Sequence, residues 1–349
     1  QIFRMSHKTK TYCFVTFVSS VLNVIVFLFL PKESGVITLL LTTILINSSI
    51  FLFSFFYLKV YSKFSIKSYS FSFTKKCLKY SFPLIVVWGC IWILNSSDTF
   101  IINYFYPNSL NGEVGIYNLA HSLSSNTIGL LTSSLGFAFF PKLLSLWNNE
   151  DKMNISKDLS TQLYICCLLC IPAVFGLASL SPFLYSSLIS SEYNSNGIAV
   201  VLIVLFSITN FVSGIGNLIG RPWQLEEKTN VPMIFSILSA IVNIAFDFLF
   251  VWLFGYIAAA VVSMAVMIIR TLIMFLIVKK RYKLSVTIRP IMSSICSAFV
   301  MFAFLNRFLS FFNNAYVCLI VGLFIGPAIY FLFMAVFYGD KLHSWRKRI

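Results

Sequence analysis

RPWQLEEKTNVPMIFSILSAIVNIAFDFLFVWLFGYIAAAVVSMAVMIIRTLIMFLIVKKRYKLSV, residues 221–286, decides the fold. It reads as two apolar runs joined at Gly255, opened by Arg221 and Lys228 and closed by Lys279, Lys280, Arg281 and Lys283. Each run is long enough, as an α-helix, to cross about 30 Å of hydrocarbon, so the stretch reads as a membrane hairpin. The same pattern stands at residues 1–66 without a gap. At a constant offset of 220, eleven positions are identical, among them Lys8 and Lys228, Asn23 and Asn243, Gly35 and Gly255, Lys59 and Lys279, and Lys63 and Lys283. The polar matches fall at the basic ends, in mid-span and at the connecting turn. That placement, more than the count, marks an internal repeat.

Outward from the repeat, apolar residues make up 58% of the chain and charged residues 11%, against about 45–50% and about 25% in soluble domains. The sequence predicts an all-α polytopic membrane protein of ten transmembrane helices, at about 11–30, 36–58, 82–104, 114–140, 159–180, 198–219, 231–251, 256–278, 290–306 and 314–337. The formal charge of +15 follows these spans. Counted over alternate ends, 23 of the 26 Lys and Arg fall on one side, leaving Lys32 and Arg307 on the other and Arg270 within a span. By the positive-inside rule both termini of the chain are cytoplasmic. Topology accounts for the charge, and nucleic-acid binding is excluded as its explanation.

Both copies of the repeat begin on the basic side, six spans apart, so they are parallel and related by an axis along the membrane normal. Residues 1–66 read as the last two helices of a first lobe and 67–286 as a second lobe of six. Residues 287–349 add two helices and a basic cytoplasmic tail. On this reading the first lobe lacks about four helices, and the parent is a two-lobed bundle of about fourteen spans, N-terminally truncated here.

Tyr80-Ser81-Phe82-Pro83-Leu84, Asn95-Ser96-Ser97-Asp98 and Gly115-Ile116-Tyr117 resemble the opening of the second lobe in bacterial polysaccharide flippases of the multidrug, oligosaccharidyl-lipid and polysaccharide exporter superfamily. Where that family usually has an arginine after the aspartate and often a lysine after the Tyr-x-x-Ala step, this chain has Thr99 and His121. The resemblance implies an O-antigen-type flippase in a bacterial inner membrane. Its cargo would be undecaprenyl-diphosphate-linked oligosaccharide, and a polysaccharide polymerase and assembly proteins would be further partners. It implies no cofactor, only possible coupling to a proton or sodium gradient. The physical problem stands without the resemblance. A diphosphate-linked sugar cannot cross hydrocarbon with its polar groups bare, so it needs a wet groove that opens to each side in turn.

Ionisable residues within spans are candidate pathway residues by default. Asp98 and His121 lie at similar depths in neighbouring spans and are predicted either to form a titratable pair or to tie one hairpin together. Asn118, Ser122, Ser125, Asn126, Gly129 and Ser133 follow at steps of three and four, forming either a sugar-facing wall or a helix-packing seam. Asn23 and Asn243 occupy equivalent places as cavity lining or as clamps. Asp247 lies one turn beyond Asn243. Arg270, the one arginine inside a span, is the candidate for a diphosphate contact, with an internal salt bridge or snorkelling as the alternative.

Two apparent motifs are read as packing. Cys166, Cys167 and Cys170 lie inside an apolar span, and Gly214, Gly216 and Gly220 miss the dinucleotide spacing. An enzyme such as a polysaccharide polymerase or glycosyltransferase is disfavoured. The longest outer segment, about 180–197, has Glu192 as its only charged residue, and no nucleophile or metal-ligand spacing occurs. A drug or cation exporter of the same superfamily is the other transport reading.

Overall fold

The computed structural model describes residues 9–29, 36–57, 70–107, 112–149, 152–188, 197–312 and 314–346. Every predicted span is a helix. These are α1 (Thr9–Phe29), α2 (Val36–Tyr57), α3 (Phe71–Phe105), α4 (Glu113–Ser124) running through a π-helical turn (Ser125–Gly129) into α5 (Leu130–Asn148), α6 (Lys152–Leu188) and α7 (Ile198–Ile219). They continue with α8 (Arg221–Leu225), α9 (Asn230–Phe254), α10 (Ile257–Tyr282), α11 (Ile288–Leu309) and α12 (Ala315–Arg346). Nine helices among the described residues are long and apolar enough to span a bilayer, and α1 contributes the shorter apolar run Phe17–Val26. The protein is a multi-pass membrane protein. Several helices outrun their predicted limits because helical hydrogen bonding continues past the hydrocarbon edge, as in the 37 residues of α6. The predicted Glu192 loop lies outside the described residues.

The chain divides into two compact units, 1–76 and 77–349. The first is the α1–α2 hairpin with the opening turns of α3. Its large apolar side chains, such as Phe17, Ile37 and Phe51, lie exposed on the hairpin surface.

In the second unit α7 is the central post. Its N-terminal half buries Leu202, Ile203 and Phe206 against Ile102 of α3, Tyr117 and Ala120 of α4, Val251 of α9 and Ala259 and Ala260 of α10. Toward the basic end, Ile219 and Trp223 pack with Leu143, Leu159, Met274 and Val278. Close approach is set by glycine. A Cβ on Gly214 would stand 2.5 Å from Thr132 of α5, and one on Gly216 would stand 2.8 Å from Thr271 Oγ1 of α10. Cys166 and Cys170 are fully buried near Leu131, Leu135 and Leu218, in the packing role the sequence suggests. Helices α11 and α12 close on α6, where Tyr330 Oη donates to the Leu168 carbonyl at 2.9 Å and lies 2.8 Å from Ser294 Oγ.

At the basic end the turn between α8 and α9 is clamped to the end of α10. Glu226 accepts from Arg281 at 2.5 Å and from Tyr282, and pairs with Lys228 at 3.0 Å. Burial pushes the Glu226 carboxyl up, but the Tyr282 and Lys228 hydrogen bonds and the charges of Arg281 and Lys228 outweigh it, leaving the pKa below its ordinary value of 4.5. A depressed carboxylate stabilises the fold above its unfolded pKa, and that contribution is lost as pH falls through the folded value. Glu226→Gln is therefore expected to lower the melting temperature in detergent at pH 7, by an amount corresponding to about 1 kcal/mol or less. The gap between wild type and variant should narrow as pH falls below 4.5, and a gap that does not narrow would assign the effect to packing.

Candidate functional site

Four helices of the second unit bring polar side chains to one level, about 10 Å inside the helix ends remote from the basic end, at 1.5 Å per residue. On α9, Asn243 and Asp247 are one turn apart and share a face, both with no exposed surface. From α3 comes Asp98, 3% exposed, from α4 Tyr117, and from α10 Ser263. Tyr117 Oη donates to Asp98 Oδ2 at 2.5 Å and Ser263 Oγ donates to the same oxygen at 2.9 Å. Asn243 Nδ2 donates to Asp98 Oδ1 at 3.1 Å and also to Asp247 Oδ2, while Asn243 Oδ1 accepts from Ser263 at 3.2 Å. Ser97 reaches Asp98 Oδ1 at 3.3 Å. Asp247 Oδ1 is buried without a partner.

Two carboxylates thus share one amide in the interior of a helical lobe. The ion pairs found among the described residues, Lys142–Asp158, Lys228–Glu226 and Arg281–Glu226, involve neither acid. Bare buried charges cost several kcal/mol each, so the pair calls for a positive partner. The donor set, carboxylate, amide and hydroxyl oxygens without sulfur or imidazole, suits a proton or a hard monovalent cation.

Around this cluster the predicted site residues take different partners. Asp98 and His121 do not hydrogen-bond. The longer Tyr117 side chain, one turn earlier on the same face of α4, reaches the carboxylate. The His121 ring instead meets the Phe206 edge at 5.0 Å on α7. Asn243 acts as a clamp between α3 and α9, whereas its repeat partner Asn23 donates to its own helix at Ser19 O, 2.8 Å away. At the constant offset Asp247 corresponds to Phe27 and Arg270 to Ile50, so the charge belongs to the second copy alone.

The predicted stripe on α4 and α5 splits. Asn118, Ser122, Asn126 and Ser133 are exposed on the unit, with Asn118 Oδ1 accepting from Thr99 of α3 at 2.8 Å. Ser125 and Gly129 turn instead to Asn210 of α7. Arg270 is half-buried. Its Nη2 donates to Ser236 Oγ of α9 at 3.0 Å, Nη1 lies 3.9 Å from Met267 Sδ, and Nε is enclosed without a partner. The internal salt bridge that the sequence allowed is not formed among the described residues. Along α10 it stands about 10 Å from Ser263 toward the basic end. An apolar groove of about 400 Å³ runs beside the cluster between α3 and α9, lined by Trp92, Phe100, Tyr104, Ile244 and Phe248.

Tyr117 enters the sequence reading only within the family resemblance, and Ser263 and Asn210 escape it, because each is ordinary in its own helix. Spacing within α4 marks Tyr117 as one turn from His121, and nothing in the sequence says which of the two faces Asp98.

Charge buried in a helical lobe, inside a chain built almost wholly of spans, defines a transporter fold. The chain aligns over 94% of its length with the structure described as lipid II flippase MurJ, inward closed conformation, at a TM-score of 0.68 and 20% identity, covering 67% of that chain. It also aligns over 75% of its length with an outward-facing multidrug resistance MATE family transporter of the MOP superfamily, at a TM-score of 0.50 and 16% identity, covering 64% of that chain. Residues 98–326, about two thirds of the chain, match the family described as lipid II flippase MurJ, and the chain belongs to that family. The family is one of transporters, not enzymes. Two curated relatives come from Haloferax volcanii. One is the probable low-salt glycan biosynthesis flippase Agl15, 22% identical over 76% of this chain and 55% of its own length. The other is the probable flippase AglR, 28% identical over 58% and 41%. The chain spans about half the length of the curated relatives it matches.

Proposed function

We propose that this protein flips lipid-linked oligosaccharides across a membrane by alternating access, with the Asp98–Asp247 cluster binding the cation whose gradient drives the cycle. The cluster carries the reading, since two buried acids without a basic partner are costly unless a proton or cation visits them. Membership of the MurJ family and the glycan flippases among the relatives support the cargo class.

The finer reading is an undecaprenyl-diphosphate-linked repeat unit of O-antigen, capsule or exopolysaccharide. It would be moved from the cytoplasmic to the outer leaflet of a bacterial inner membrane, with both ends of this chain cytoplasmic. The cargo would be received from membrane lipid and passed to a polymerase and assembly proteins. Arg270 is the residue we assign to the diphosphate, and the exposed Asn118 and Asn126 to the sugar. On this reading residues 1–66 belong to a first lobe, 67–286 form the second, and 287–349 add two helices and a basic tail.

Deleting the gene in its host tests the cargo. Lipid-linked repeat units are expected to accumulate in the cytoplasmic leaflet, inaccessible to an externally added glycosidase, and the full-length gene should restore access. Unchanged access together with lost efflux of a cationic dye would favour the drug-exporter reading.

A further inference from the structure

The π turn at Ser125–Gly129 interrupts an otherwise continuous helix, and side chains from a neighbouring helix hold it open. Asn210 of α7 donates through Nδ2 to Ser124 Oγ at 3.1 Å, to Ser125 Oγ at 3.4 Å and to its own Phe206 carbonyl at 3.0 Å. Ser207, one turn away, lies 3.3 Å from Ser124 Oγ. A Cβ on Gly129 would sit 3.3 Å from Asn210 Oδ1, so a residue without a side chain admits the amide. Carbonyls near the widened turn are taken by hydroxyls. Thr127 Oγ1 donates to Leu123 O at 2.8 Å and to Ser124 O at 3.2 Å, and Thr132 Oγ1 donates to Gly129 O at 3.0 Å.

Helix phase explains why the turn matters. Ala120, Ser124, Ile128, Thr132 and Gly136 are all buried, at a constant step of four. In a plain α-helix each step of four overshoots a full turn by about 40°, so Gly136 would lie about 160° away from Ala120. Here all five stay toward the bundle, two of them against α7 and a third against the start of α8. Ser124 meets Ser207, Thr132 meets Gly214 and Gly136 meets Arg221. The i→i+5 turn absorbs about one residue, which is about 100° of rotation. It thereby leaves Asn118, Ser122, Asn126 and Ser133 exposed along the helix pair.

We infer that Asn210 is a positioning residue. Its amide holds the π turn open and so sets the rotational phase of α5 relative to α4, deciding which α5 residues share the exposed face of Asn118 and Asn126. The inference rests on helix geometry and is independent of the cargo.

Cysteine labelling of the full-length protein in detergent, in a cysteine-free background, tests it. With Asn210 present, a cysteine at the exposed Ser133 is expected to react with a maleimide and one at the buried Thr132 to be protected. In Asn210→Leu the turn closes to α geometry, so the cysteine at 132 turns out and labels at least tenfold faster, while one at Leu131 takes its place and slows. Asn210→Asp, which keeps the shape and removes the donors, should move the pattern the same way and guards against misfolding of the leucine variant. Protection at 132 in both variants would overturn the inference, whatever happens to export. Fast labelling at both 131 and 132 in the aspartate variant would overturn it too, since the helix would then have separated and not turned.

Discussion

Asp98→Asn is expected to reduce transport by at least 100-fold while leaving the protein folded. A cation about 3 Å from a carboxylate gains about 5 kcal/mol at an effective dielectric of about 20, and each 1.4 kcal/mol is a factor of ten in affinity. Asparagine fills nearly the same volume and still offers an oxygen to Tyr117 and Ser263, which donate to Asp98 at 2.5 and 2.9 Å. Neutralising one of two adjacent buried acids that have no basic partner among the described residues relieves desolvation, so the melting temperature should hold or rise. Thermal unfolding in detergent also identifies the ion. If sodium binds, the wild-type melting temperature rises with sodium by mass action, and that of Asp98→Asn does not. If the proton is the coupling species, sodium has no effect on either and transport follows the imposed pH gradient. Wild-type transport by Asp98→Asn would remove the cluster from the mechanism. Asp247→Asn should behave alike, because the Asn243 amide joins the two acids.

Arg270→Ala is expected to lower export by about 10- to 100-fold with the cluster's ion response intact. The range corresponds to a charge-assisted hydrogen bond to phosphate worth about 1.5–3 kcal/mol. Arg270 has no carboxylate partner among the described residues, and its polar contacts are Ser236 and Met267. Removing it therefore leaves no buried countercharge stranded, and a fall in export is not explained by unfolding. Arg270→Lys keeps the charge but loses the planar fork, so partial activity is expected. Export of Arg270→Ala within twofold of wild type would assign the arginine to packing between α9 and α10.

The two predictions separate functions that the sequence placed side by side without ranking. Asp98, Asn243, Asp247 and Arg270 stood out because each is polar within an apolar run, and an apolar run makes any polar residue conspicuous. Tyr117 and Ser263 did not stand out, since tyrosine and serine are common in membrane helices and need a named neighbour to become informative. His121 was conspicuous for the same reason as Asp98, yet conspicuousness is a property of one helix and contact is a property of two. The π turn was invisible because a one-residue expansion leaves hydropathy unchanged and alters only phase.

Hydropathy by itself determined that this is a polytopic helical membrane protein and where its helices lie. Hydrocarbon cannot solvate backbone or charge, so the bilayer writes its thickness and polarity directly into the chain. Only the tertiary structure decided which partner each buried acid takes, that Asn243 clamps where Asn23 bonds its own helix, and that Arg270 has no ion pair among the described residues. Those outcomes depend on the rotation of one helix against another, where about 100° separates adjacent residues and a side chain's reach settles which of two neighbours makes the bond.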